Sequence, residues 1–323
     1  MEGTESRYVA GIDVGGQTSK IGIVGPGGDI LARRVIRSDC YGSDFGAYIS
    51  ALSSAVSETV SEAGIDGVAA VGAGAPNANH YSGMICSAPN LEWAAGRRVD
   101  FVHALSSSLG GIPVSVTNDA NAAALGERRY GVAAGMDDFI MITLGTGVGS
   151  GIVAGGRLLY GHDSLAGELG HTCAVREGGR PCGCGKTGCL ETYCSATGVA
   201  RTAREWLGSS AEPSLLRSVQ TLDSKAVYEA ARQGDPLALR IFEYTGTILG
   251  RSLADFVAFS SPEAIVLFGG LARAREFLQE PVKTAMDDNL LPVWKGRIKL
   301  LFSTLRESDA AILGAAALAW EDA

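Results

Sequence analysis

The sequence predicts an α/β protein of two similar domains facing a cleft, and three observations carry that expectation. An apolar strand ending in a glycine turn occurs twice, as D-V-G-G-Q-T at 13–18 and as L-G-T-G-V-G-S-G at 144–151. Each turn leads into further extended segments and then alternating helices and strands, so two βββαβα-like halves follow one another without shared wording. The 323 residues are 46% hydrophobic, room for one large core or two moderate ones.

In the first half, residues 8–12 form an apolar strand and 21–24 a second. A turn follows at 25–28, and the chain continues extended to 36, a three-strand meander. Apolar positions at helical spacing over 44–63, closed by Gly64, predict a helix. Residues 67–73 read as a strand, followed by the long irregular stretch GAPNANHYSGMICSAPNLEW. A helix over 101–109, a strand over 114–117 and an Ala-rich helix over 119–130 complete this half. The second half repeats the meander over 139–144, 150–154 and 157–160. Helices are expected near 198–207, 225–233 and 236–259, then a strand over 264–268 that ends at Gly269-Gly270 and leads into a helix. A last strand over 298–302 precedes a terminal helix over 309–320. This reading divides the chain into a small domain of 1–118 with 309–323 and a large domain of 119–308 that carries a cysteine-rich segment.

The net charge of −8 and a pI near 5.1 argue against a nucleic-acid partner, for which a basic stripe is expected. No apolar stretch is long enough to span a bilayer; the longest, 310–320, is bounded by Asp309 and Glu321 and reads as a buried helix. The opening MEGTESRYVAG has no basic start followed by an apolar run, so a reducing cytoplasm is the expected setting. The 44 glycines gather at strand ends, where turns can bring backbone close to a ligand.

The densest chemistry lies in GELGHTCAVREGGRPCGCGKTGCLETYCS, residues 167–195. Cys182, Cys184 and Cys189 fall within eight residues, with His171 just upstream, and three thiolates with one imidazole make the closed donor set of a structural zinc site. That reading is favoured over disulfides, given the reducing setting, and over chance clustering. Cys40, Cys86, Cys173 and Cys194 are scattered and read as packed or idle thiols. The string GCGKT imitates the end of a phosphate loop, but Arg180 stands where the loop's first glycine belongs. Glu168 and Glu191 flank the proposed ligands without joining them, which suggests acceptors for a ligand, held by a metal scaffold.

The turn at 13–18 can point successive backbone N–H groups at an anion, with Thr18 and Ser19 adding hydroxyls, and the turn at 144–151 offers the same chemistry. A strand rather than a helix follows each, so neither is a Rossmann loop. One such turn is an ordinary hairpin feature; two at matching positions point to a nucleoside triphosphate. Asn118-Asp119 stands at a strand-to-helix junction. It reads equally as a helix cap and as a site for Asp119 to act as general base in phosphoryl transfer.

Along its whole length the chain resembles the ROK family of sugar kinases and repressors, within the actin-like ATPase superfamily with its ribonuclease-H-like domains. The resemblance rests on D-V-G-G, T-N-D-A-N-A, L-G-T-G-V-G-S-G, G-E-L-G-H, C-G-C-G-x-x-G-C-L-E-x-x-x-S, F-G-G and the final G-A-A-A-L-A. It implies an ATP-dependent hexose kinase acting on the C6 hydroxyl, foremost a glucokinase. Asp119 would be the base, and Asn90, Asn118, Glu168, His171 and Glu191 would bind the other sugar hydroxyls. His171 would place one ring nitrogen on zinc and turn the other to the sugar.

Gly15, Gly16, Gln17, Thr18, Thr146 and Gly147 would cradle the ATP phosphates. Gly269 and Gly270 would lie beside the adenosine, and Asp13 would hold Mg²⁺ through water. Gln17 stands where the family has Thr directly after Gly-Gly, and its amide still donates; Asn77 stands where glucokinase-like members show P-G. The family also contains N-acetylmannosamine, N-acetylglucosamine, fructose and allose kinases. It contains repressors as well, whose N-terminal helix-turn-helix domain has no room before a strand at Tyr8. Dimers or tetramers are expected. Loss of zinc is expected to disorder the sugar pocket and to leave the two ATP turns less affected.

Overall fold

The computed structural model describes residues 8–321. The first seven residues, read above for a secretory pattern, and the last two lie outside the described residues. In chain order the first elements are β1 (Val9–Val14), β2 (Thr18–Val24), β3 (Ile30–Arg37), α1 (Phe45–Glu62), β4 (Val71–Gly74), β5 (Ala78–Asn79), β6 (Met84–Cys86), β7 (Arg98–Asp100), α2 (Phe101–Ser108), β8 (Val114–Thr117) and α3 (Asp119–Tyr130). They are followed by β9 (Phe139–Leu144), β10 (Val148–Ala154), β11 (Arg157–Leu158), α4 (Glu191–Cys194), α5 (Ala196–Ser209), α6 (Ser224–Arg232), α7 (Pro236–Ser260), β12 (Ala264–Phe268), α8 (Arg275–Asn289), β13 (Lys299–Phe302) and α9 (Glu307–Glu321).

The chain forms two compact units. Of the described residues, the first takes 8–135, the excursion Leu158–Ala166 and 304–321; the second takes Met136–Arg157 and Gly167–Ser303. The boundary expected at residue 118 therefore falls after Gly135. The physical reason is that α3 packs on α9 inside the first unit: bare Gly126 and Gly314 let the two backbones meet, and a Cβ on Gly314 would sit 2.3 Å from the Ala122 carbonyl.

Each unit is built on a five-stranded sheet, and the two sheets have one topology. Their orders are β3-β2-β1-β4-β8 and β11-β10-β9-β12-β13. In both, a hairpin pairs the central strand with its successor antiparallel, and two later strands add on the other side in parallel. The expected doubling is thus present. The stretch expected to be irregular holds a separate three-stranded sheet, β5-β6-β7, whose two- and three-residue strands are too short for any period to show. The strand expected from residue 67 begins only at Val71.

The alternation of β1 sorts its neighbours. Ala10, Ile12 and Val14 face one core with Tyr48 and Leu52 of α1 and Phe101 and Leu105 of α2. Val9 faces the other way, onto Ile312, Leu313, Ala316 and Ala319 of α9. Gly11 and Gly72 also meet α9, and neither site has space for a side chain: a Cβ on Gly72 would lie 1.9 Å from the Ala315 carbonyl oxygen. In the second unit Ile140, Ile142 and Leu144 of β9 pack with Phe242, Leu249 and Leu253 of α7. Asp235 caps α7, accepting from the Ala238 N–H at 2.9 Å, and Pro236 occupies the first turn, where a missing N–H costs nothing. Among the described residues no helix is long and apolar enough to cross a membrane.

Forcing a methyl group into the sheet–α9 contact should be costly, since overpacking a tight core typically costs about 1–3 kcal/mol. Gly72→Ala is therefore expected to lower the unfolding free energy by about that amount in urea titration, and an unchanged midpoint would contradict the packing described.

Candidate active site

In the first unit the site residues gather at the carboxyl ends of parallel strands, where α/β sheets place their ligands. Asp13 pairs in register with Gly74, and Gly74 with Thr117, so the ends of β1, β4 and β8 are level. The turn of Gly15, Gly16 and Gln17 follows β1, and Asn118 and Asp119 follow β8. The turn is closed by the Gly15 N–H donating to the Thr18 carbonyl at 3.0 Å. Among the described residues the N–H groups of Gly16 and Gln17 have no acceptor in the protein.

The carbonyl of Asn90 presses on Gly16, where a Cβ would lie 2.5 Å from it, so Asn90 and the turn are in direct contact. Below the turn, the Ser19 hydroxyl meets both Ser38 and Tyr48 at 2.8 Å, a buried network that anchors β2. Neither Tyr48 nor Ser38 carries a local motif signal; only the helical period of α1 could have pointed Tyr48 inward.

The junction before α3 shows which of Asn118 and Asp119 caps the helix. Asn118 is the cap: its side-chain oxygen accepts from the Asn121 N–H at 2.7 Å. Asp119 is the first helical residue and accepts from the Ala120 N–H at 2.9 Å; solvent reaches the residue, yet the protein packed around its carboxyl leaves that group poorly hydrated. Desolvation raises its carboxyl above the usual carboxylate range; the Ala120 N–H opposes this, and the charge of Asp13 reinforces it. Asp13 itself is half-buried and paired with Lys20 at 3.1 Å, a contact the sequence reading did not contain.

In the second unit the turn at 145–147 follows β9, and Gly269-Gly270 follows its parallel neighbour β12. Gly269 has a φ of +99° and lies against Leu144, whose carbonyl would be 2.7 Å from a Cβ there. Gly145 N–H donates to Gly147 O at 3.0 Å, and among the described residues the N–H groups of Thr146 and Gly147 have no acceptor in the protein. The carboxylate of Glu191 accepts from the Val148 N–H at 3.0 Å, beside Gly147. Glu168 is exposed, immediately before the short helical turn Leu169–His171.

His171, Cys182, Cys184 and Cys189 converge, with one ligand atom from each lying within 4.8 Å of all the others. The Cys184 and Cys189 sulfurs are 3.6 Å apart, and Cys182 Sγ is 3.7 Å from His171 Nδ1. Sulfurs about 2.3 Å from a central zinc ion would stand about 3.8 Å apart, so the donor set fits a tetrahedral dication. Burial, with the neighbouring thiols adding to it, pushes the Cys189 thiol up to about 12, whereas the Lys186 N–H lowers Cys184. Nδ1 is the ring nitrogen turned to this cluster, which leaves Nε2 to face elsewhere.

These features define an α/β protein with paired glycine turns, a desolvated carboxyl at a strand end and a Cys₃His segment. Residues 9–322 match the model of the ROK family, and the chain belongs to that family. It is 36% identical over 315 residues to a glucokinase of Halalkalibacterium halodurans, covering 95% of this chain and 93% of that one. Among solved structures it is similar to a ROK family glucokinase from Streptomyces griseus in complex with glucose and AMPPNP, with 34% identity, a TM-score of 0.78 and coverage of 97% and 99% of the two chains. It is also similar to a ROK family transcriptional regulator, a homolog of the E. coli MLC protein, at 27% identity and a TM-score of 0.85; 96% of this chain matches 77% of that one.

The raised Asp119 carboxyl makes a signed prediction. The folded chain holds this proton to higher pH than the unfolded chain, so the stability it contributes is present at low pH and is lost as pH rises through the folded value. Asp119→Asn cannot suffer that loss. Its unfolding free energy should gain on the parent as pH climbs from about 4 toward neutrality, and parallel pH profiles of the two proteins would contradict the assignment.

Proposed function

We propose that this chain transfers the γ-phosphoryl group of ATP to the C6 hydroxyl of a hexose, foremost glucose, with Asp119 as the general base. The observation that carries the reading is the division of labour at the start of α3: Asn118 does the capping, which frees a desolvated Asp119 carboxyl at the end of β8. A capping aspartate would have its charge spent on the free N–H groups of the first helical turn; this one meets only the N–H groups of Ala120 and of Asp119 itself and keeps an elevated proton affinity. The glucokinase relatives and the glucose-bound neighbour support the same activity.

In this reading Asp119 accepts the C6 hydroxyl proton as the oxygen attacks phosphorus in line, and the bond to the departing ADP oxygen breaks. Asn90, Asn118, Glu168, His171 and Glu191 hold the remaining hydroxyls. A sugar lacking one of those hydroxyls leaves a polar partner unpaired, which can cost roughly 10⁴-fold in discrimination. The free N–H groups of Gly16, Gln17, Thr146 and Gly147 receive phosphate oxygens, with Gly15 and Thr18 shaping the first turn, while Gly269 and Gly270 give the adenosine close approach to backbone. Asp13 fits Mg²⁺ through water, because Asp13 and Asp119 form an acidic pair that Lys20 only partly neutralises. Mg²⁺ there would offset charge on the phosphates.

His171, Cys182, Cys184 and Cys189 would hold zinc as a structural ion. With Nδ1 committed to the metal, the ring orientation is set and Nε2 is presented to the sugar. A cytoplasmic, oligomeric enzyme without nucleic-acid or membrane partners completes the proposal.

Asp119→Asn is expected to lower kcat by about 10²–10⁴-fold while glucose affinity, measured by calorimetry, stays within a few-fold of the parent. Near-normal turnover would remove Asp119 from the mechanism. ADP release assayed over a panel of hexoses and N-acetylhexosamines should be highest with glucose; a preference for an N-acetylated sugar would replace the substrate while keeping the chemistry.

A further inference from the structure

The geometry points to a second task for the junction between α4 and α5: we propose that residues 191–197 are a bracket that holds the glycine turn at 145–148 in its nucleotide-binding shape, with Glu191 and Thr197 as positioning residues. This rests on the reading above, in which that turn receives phosphates and Glu191 receives a sugar hydroxyl.

Three consecutive parts of the turn are gripped from this junction. Glu191 Oε2 accepts from the Val148 N–H at 3.0 Å. The Ala196 N–H donates to the Gly145 carbonyl at 2.8 Å. The Thr197 hydroxyl donates to the Thr146 carbonyl at 2.8 Å and is itself 2.9 Å from the Ser195 hydroxyl. Gly147 completes the fit, since a Cβ there would lie 2.3 Å from Glu191 Oε2. A hairpin needs none of these contacts, because the turn already closes on itself from Gly145 to Gly147. What they add is direction. With the carbonyls of Gly145 and Thr146 and the Val148 N–H tied to the junction, the free N–H groups of Thr146 and Gly147 are left turned away from it.

The bracket also changes what loss of metal should do. Glu191 stands two residues after Cys189, so the segment that carries the thiols carries the turn's support as well. From the sequence, both ATP turns are expected to be less affected than the sugar pocket by removal of zinc. That should hold for the turn after β1, which closes through its own Gly15 N–H to Thr18 carbonyl bond, and fail for the turn after β9.

The test uses Thr197→Val, which keeps the side chain's shape and removes its donor, and Glu191→Ala, read in three ways. Amide exchange over 145–148 in the free protein should quicken about fivefold in each, the equivalent of one net hydrogen bond. Affinity for a non-hydrolysable ATP analogue, measured without sugar, should weaken about fivefold in each. Glucose affinity without nucleotide should be unchanged in Thr197→Val and lost in Glu191→Ala. Unchanged exchange and unchanged nucleotide affinity in both variants overturn the bracket. If Glu191→Ala loses glucose affinity alone, the sugar reading stands and the bracket falls; if it loses nucleotide affinity alone, the bracket stands and Glu191 leaves the sugar ligands.

Discussion

The convergence of His171, Cys182, Cys184 and Cys189 on one point is the constraint on which the rest of the candidate site depends. Residues 167–190 contain no strand longer than an isolated bridge and only one short helical turn, so no extended ladder or long helix holds them. Two isolated bridges, Cys173 with Cys189 and Pro181 with Thr187, fold the segment back on itself, and the four-residue cluster and the neighbouring Arg180 tie it together through side chains. The Arg180 guanidinium is buried and spends all five N–H groups on Glu205, the Thr192 and Gly198 carbonyls and the Thr202 hydroxyl, with its plane 4.5 Å from the Tyr193 ring. The planar fork of arginine suits that set of acceptors, and a lysine could not serve it. Glu168 lies three residues before His171 and Glu191 two residues after Cys189, so both are covalently close to this frame.

Around that frame, the doubling of the sheet explains why the glycine turns fall where they do. The central strand of each five-stranded sheet ends in a glycine turn, and the carboxyl ends of its parallel neighbours lie level with it. One topology used twice therefore supplies two glycine turns with free backbone N–H groups, without any shared sequence. The units differ in what the outermost parallel strand delivers. After β8 comes Asn118-Asp119, a cap and a desolvated carboxyl; after β13 comes Ser303, whose N–H simply donates to Leu267. The chemistry is asymmetric on a symmetric plan.

Much of this was legible because the signals are local. The donor set spans 19 residues, each glycine turn fewer than ten, and the strand and helix periods of both halves are regular. The parts that were not legible depend on partners far apart in the chain. Glu191 meets Val148 across 43 positions and Thr197 meets Thr146 across 51, and neither residue type announces such a contact. The excursion Leu158–Ala166, whose start reads as the third strand of the second meander, belongs to the first unit: His80 stacks on Tyr160 at 4.0 Å, and Ser164 accepts from the His80 N–H. The capping question at Asn118-Asp119 needed the direction of two side chains, which composition cannot supply.

The central claim is that a metal ion fixes the sugar-binding side chains through His171. Its most direct test is X-ray absorption at the zinc edge, combined with glucose calorimetry on the same sample before and after stripping the metal. The account predicts one zinc per chain in a shell of three sulfurs and one nitrogen, and loss of glucose affinity when the metal is removed. A protein that binds no zinc, or that binds glucose equally well after stripping, would contradict it.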